Sequence, residues 1–144
     1  MASTKINGTK IGIYLGTTVA AESTGGALLG AAQSHTLSLQ TETADVTTKD
    51  SAGWKEIIPT LKSFTIDVDA LLTYDETYGY EALHDALINR TLLYFRLSTD
   101  VTGDEKWFGA CYITSLEQNA PMEDGASYTA SFEGTATLTR STTT

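Results

Sequence analysis

The chain of 144 residues has one cysteine, two prolines and two histidines. With Cys111 alone there is no internal disulfide framework, and a reducing site of synthesis is expected. Long apolar runs are also missing. The N-terminal segment MASTKINGTKIG carries no secretory signal, and nothing later is long enough to span a bilayer. Without secretion, the glycosylation patterns at Asn7-Gly8-Thr9 and Asn89-Arg90-Thr91 carry no meaning. Basic clusters are absent too. Nine Lys and Arg stand against eighteen Asp and Glu, a net charge of −9. The cationic surface that duplex DNA binding draws on is therefore lacking. The acidic balance fits plain solubility, and it fits equally a surface that must not adhere to nucleic acid.

Catalytic and metal-binding patterns fail one after another. His35 and His84 fall on different elements, and neither has a Cys or second His at metal-ligand spacing. Gly25 and Gly30 have the spacing of a phosphate loop, but Ala31 and Ala32 occupy the places of its Lys and Ser/Thr. Cys111 lies between Ala110 and Tyr112 in an expected strand, which suits a buried thiol, and a nucleophile would need a positioned base. Asp67 and Asp69 share one strand face, and Glu123-Asp124-Gly125 reads as an acidic turn. The calcium-loop pattern is missing, and no second carboxylate is set across a cleft. No enzyme activity, cofactor or metal is expected.

What is present is β-rich. Thr and Ser run throughout, and short alternating segments recur. The length suits one domain over 1–144, able to bury about 70% of its unfolded surface. Strands are expected over Lys10–Gly16, His35–Thr41, Phe64–Leu72, Leu92–Ser98, Lys106–Glu117 and Ser127–Thr139, within a total of seven or eight. Ala20–Gly30 reads as a flexible hairpin or arm, and Arg140–Thr144 as a flexible polar tail. One segment has helical spacing: Tyr80, Leu83, Ala86 and Leu87 within Tyr78–Asn89, with Asp75, Glu76 and Glu81 near its start and Arg90 near its end. Alternation sends Phe64, Ile66, Val68 and Ala70 inward with Leu37 and Leu39. Between the two strands that hold these residues, a loop from about Thr43 to Leu61 is too long for a hairpin turn. It carries apolar residues that disordered segments lack: Val46, Trp54, Ile57 and Ile58.

Taken in order, SHTLSLQTET, DVTTKDSAGWKE, SFTIDVDAL, YEALHDAL, LLYFRLS and GACYITSLEQNAPMEDGASYTASFEGTATL resemble the major tail (tail tube) proteins of tailed bacteriophages. The last run is similar to a pattern in which an Ala-Pro turn precedes a strand with S-F-x-G-x-G, the second glycine here being Ala136. The resemblance implies a two-sheet antiparallel β-sandwich with one flanking helix. In such families six subunits form a ring whose inner strands join into one β-barrel, and the rings stack into a tube that conducts DNA.

The implied residue roles follow. The polar alternates Thr36, Ser38, Gln40, Thr65, Asp67 and Asp69 would face the lumen, where they hold a film of water and repel phosphate. The 43–61 loop would contact the adjacent ring, with Trp54 as anchor beside Lys49, Asp50, Lys55 and Glu56. Ala2–Asn7 and the Ala20–Gly30 arm are weaker candidates for subunit contacts. The implied partners are further copies of the chain, tape measure, tail-tip and terminator proteins, and viral DNA passing without specific binding, with no membrane. The implied location is the virion tail, assembled in the bacterial cytoplasm. Two alternatives remain: the tube of a contractile injection or secretion device, and a monomeric β-sandwich binding module using Tyr74, Tyr78 and Tyr80.

Overall fold

The computed structural model describes residues 11–22, 25–30, 32–73, 78–123 and 125–143. Lys10, Ala2–Asn7, Tyr74, Asp75, Glu76 and Asp124, all named above, lie outside that set.

Among the described residues, seven strands form one antiparallel sheet: β1 (Gly12–Gly16), β2 (Ala27–Leu28), β3 (Ala32–Asp45), β4 (Ile57–Leu71), β5 (Leu93–Ser98), β6 (Glu105–Asn119) and β7 (Ser127–Thr142). Their order across the sheet is β2-β1-β5-β6-β7-β4-β3. The expected mainly β, antiparallel class with one flanking helix is observed. The expected division into two separate sheets is replaced by a continuous one, because β6 and β7 are long enough to serve both halves. The first part of β6 pairs with β5, as in Leu93↔Cys111, while its whole length pairs with β7. The sheet bends over itself, so Phe64 of β4 and Phe95 of β5, with two strands between them, meet with ring centroids 5.6 Å apart.

Alternation builds the core. Phe64, Ile66, Val68 and Ala70 are buried together with Tyr128, Ala130 and Phe132 of β7 and Ile13 and Leu15 of β1. Helix α1 (Tyr80–Asn89) closes one side with Leu83 and Ala86 buried. It stops where Arg90 turns left-handed (φ 55°), with its N–H bonded to the Ala86 carbonyl. His84 lies on the exposed side of this helix, as its position in the sequence implies.

Several expectations change. Arg96 alternates with the inward Phe95 and Leu97 along β5, yet it is buried. Its guanidinium lies 4.3 Å from the Tyr14 ring centre and donates to the carbonyls of Ala21 and Gly25 and to Asp100. These bonds hold residues 19–22 and 25–30 down, and Ala21 and Leu29 are buried. The described residues of the expected Ala20–Gly30 arm therefore pack on the core. The C-terminal segment is ordered by pairing: Arg140, Ser141 and Thr142 oppose Trp107, Lys106 and Glu105. Thr143 is buried and bonds to the backbone of Gly103 and Asp104.

The loop expected over 43–61 is shorter as well. Ladder pairs Thr43↔Pro59, Ala44↔Ile58 and Asp45↔Ile57 carry the hairpin outward past a register shift, so the turn spans only 46–56. This extension outruns the core. Leu37 is half-buried, but Leu39, expected inward, is 64% exposed because the sheet beneath it ends.

Candidate functional site

Two features distinguish the surface: a polar face spread over four strands, and the arm formed by the ends of β3 and β4. Register explains the face. In antiparallel pairs, directly opposed residues share a side of the sheet. Thr36 opposes Asp67, Ser38 opposes Thr65, and Gln40 opposes Ser63, with Asp69 beside Ser34. All six residues expected to form a polar wall therefore lie on one face, opposite Phe64, Ile66 and Val68. On β7, Thr129, Ser131 and Glu133 oppose Asp69, Asp67 and Thr65 and continue the face. Tyr112, Ser115 and Glu117 extend it onto β6.

Hydroxyl groups tie this face together. Ser131 donates to Asp67 Oδ1 at 2.7 Å and Thr129 to Asp69 Oδ1 at 2.9 Å, while Ser34 reaches Asp69 Oδ2 at 3.3 Å. The carboxylates Asp67, Asp69, Glu117 and Glu133 give the face a negative sign, and no Lys or Arg stands among its described residues. The β6 and β7 contributions were visible only as polar alternates within strands. Register alone brings them beside Asp67.

The lateral edges of this face are open. β3 is a terminal strand of 14 residues with neither Lys nor Pro, the residues that commonly blunt an edge. β6 beyond Cys111 pairs with β7 on one side only, since β5 stops at that point.

The turn at the end of the arm holds itself in shape. The Val46 N–H reaches the Glu56 carbonyl at 2.9 Å, and the Glu56 N–H reaches Thr47 Oγ1 at 2.8 Å. The Thr47 hydroxyl, and then its N–H, keep the Asp45 carboxyl below the usual carboxylate range. Lys49–Ser51 make a 3₁₀ turn, followed by left-handed Ala52 and Gly53 (φ 55° and 84°). The Trp54 N–H bonds to the Ser51 carbonyl at 3.0 Å, and its side chain stands 77% exposed. Trp54 does not cover its own core. Lys49, Asp50, Lys55 and Glu56 surround it, all exposed, and none forms an ion pair among the described residues. Val46, Ile57, Ile58 and Leu61 add further exposed apolar surface along the arm.

Other candidates resolve plainly. Cys111 is buried, and burial pushes its thiol up to about 12. His35 is half-buried, and burial lowers its pKa. Among the described residues, no group of three or more His, Cys, Asp or Glu could hold a metal ion, and no helix is long and apolar enough to cross a membrane. Tyr78 and Tyr80 are half-buried and pack against the core.

The fold class these features define is that of tail and injection tube proteins. The chain superposes on the tail of an empty gene transfer agent particle, described with sixfold symmetry, at a TM-score of 0.77 with 21% identity, covering 97% of this chain and 100% of that one. The SPP1 tail tube gives 0.76 with 17% identity over 96% and 80%. The sheath–tube complex of an extracellular contractile injection system gives 0.58 with 14% identity over 92% and 88%. No curated protein matches the sequence. The model of the phage tail tube protein family matches residues 6–140, and the chain belongs to that family. It is a structural protein and not an enzyme.

Proposed function

We propose that this protein is the tube subunit of a phage tail. Copies pair edge to edge into rings, six to a ring as in the symmetry given for the gene transfer agent tail, and the rings stack into a conduit for viral DNA. The observation that carries this reading is the four-stranded polar face with both lateral edges open. Joining β3 of one copy to the free half of β6 in the next satisfies both rows of backbone groups and closes a barrel with no exposed edge. The Asp67–Asp69 face then lines the bore, where carboxylates repel phosphate and hydroxyls hold water, so DNA slides without binding.

The arm, with Lys49, Asp50, Trp54, Lys55 and Glu56, makes the contact between rings. The subunit resides in the virion tail after assembly in the host cytoplasm, with tape measure, tip and terminator proteins as its other neighbours.

Size-exclusion mass and negative-stain microscopy of the purified protein over a range of concentration and salt test this reading. Rings or tubes are expected. A sharp monomer throughout, persisting when tail-tip proteins are added, would remove it. The likeness to the contractile injection system favours one second reading, a tube that carries effectors inside a sheath. A sheath gene beside this one would select it.

A further inference from the structure

Helix α1 and β6 enclose a groove lined by Tyr80, Glu81, His84, Asp85 and Gln118. Its floor is aromatic. The Tyr80 ring stacks with His84 (6.4 Å, 29°) and meets buried Tyr128 edge-on (5.7 Å, 66°). Its rim is acidic. Glu81 has no ion-pair partner among the described residues, and Asp85 has only the exposed His84 at 3.6 Å.

The ladder register fixes where this groove lies. Gln118 opposes Tyr128, and Tyr128 opposes Ala70, at the far end of β4 from Ile57. At about 3.3 Å per strand residue, roughly 40 Å of β4 separate the groove from the arm. The arm of a chain therefore cannot reach its own groove. Its exposed Trp54 suits an aromatic floor, and its exposed Lys49 and Lys55, which sit beside Asp50 and Glu56, can meet the carboxylates of Glu81 and Asp85. A projecting tip at one end and a matching recess at the other describe a heterologous contact, which joins identical copies head to tail into an open stack.

We propose that the α1–β6 groove receives the arm tip of a second copy of this chain in the adjacent ring, Trp54 lying against Tyr80 and His84, and Lys49 and Lys55 facing Glu81 and Asp85. This rests on the tube reading above and names the surface that reading leaves open. Trp54 anchors the contact through its apolar area, and the lysines set its register.

Cysteine pairs test it, because native Cys111 is buried and its thiol is held protonated. Tubes of the Lys55→Cys/Asp85→Cys variant, which keeps Trp54, are oxidised and run on a denaturing gel. Each chain should be linked to the next along the stack, producing a ladder that continues well past six copies. Lys55→Cys and Asp85→Cys alone should give no such ladder. If that pair fails to fold or assemble, Lys49→Cys/Glu81→Cys takes its place.

Tubes that form without cross-links in either pair would overturn the groove assignment and leave the tube reading intact. A ladder that ends at ring size would also overturn it, by placing the arm on a neighbour within the ring. Unmodified protein that never assembles would remove the tube reading, and the groove assignment with it.

Discussion

At residue scale, two positions in the S-F-x-G-x-G-like run explain what that pattern needs. Gly134 lies directly under the Phe64 ring, where a Cβ would stand inside the aromatic carbons. Phe64 is buried, so the ring has no solvent to move into. Gly134→Ala should lower the stability of the subunit by about 1–3 kcal/mol, the usual cost of overpacking. Ala136 stands where the pattern has its second glycine, and its φ is 68°, left-handed. It begins a bulge in which Ala136, Thr137 and Leu138 oppose Gly109, between the pairs Phe108↔Thr139 and Ala110↔Thr135. A left-handed alanine costs about 1–2 kcal/mol, and glycine's greater unfolded-state freedom offsets part of that. Ala136→Gly should therefore raise stability by up to about 1 kcal/mol. Denaturant midpoints at unchanged slope read both variants.

His35 adds a pH effect of definite sign. Burial lowers its folded pKa below the ordinary value near 6.5, so between those two values the unfolded chain binds more protons. Stability is then complete above about pH 6.5 and declines as pH falls toward the folded value. His35→Gln should flatten that part of the stability curve, measured by thermal unfolding between pH 7.5 and 5. An unchanged slope would show that His35 does not contribute to it.

At the scale of elements, the arm is the part whose sequence and role diverge most from ordinary folding. A hairpin bearing Leu39, Trp54, Ile57, Ile58 and Leu61 exposed has no reason within one subunit to carry so much apolar surface. Trp54→Ala removes a side chain that contributes little to its own core. The melting of the isolated subunit should change by no more than about 0.5 kcal/mol. Ring stacking should fail, since an aromatic anchor commonly accounts for at least about 2 kcal/mol at each contact. Microscopy together with thermal unfolding separates these effects, and a variant that melts early would return Trp54 to the subunit interior. Helix α1 was legible because Leu83 and Ala86 repeat at helical spacing. The length of β3 and β4 was not, because Thr43, Ala44, Pro59 and Thr60 have no alternation that announces a strand. Their pairing follows from the ladder already running beneath them.

For the whole molecule, the proposed tube would use charge to keep its bore from holding DNA. Asp67→Lys/Asp69→Lys turns two negative side chains per copy into two positive ones on the same face. The hydroxyl bonds these aspartates accept are exposed and worth about 1 kcal/mol each, so rings should still form. Each phosphate contact on duplex DNA releases about 0.9 counterion. Ejection through the variant tube should therefore slow at low salt and recover as salt rises. Ejection kinetics from particles carrying the variant measure this, and normal release at low salt would show that these residues do not face the bore.

Composition and period by themselves determined that this chain is a β-rich protein with one helix, that Phe64, Ile66 and Val68 face inward, and that Asp67 and Asp69 face the other way. Both follow from the two-residue repeat of a strand, a local property that any reader of the sequence can count. Three things depended on the tertiary structure. Arg96 is buried because a distant segment closes over it and supplies carbonyl acceptors. One sheet forms where two were expected because β6 and β7 are long enough to bend and serve both halves. Thr129, Ser131 and Glu133 join Asp67 and Asp69 because register, set by which strands meet, decides what stands beside what. Period assigns a side chain to a face of its own strand, whereas Thr129 and Ser131 stand 60 and 64 residues along the chain from the aspartates they bond and meet them only when the chain folds.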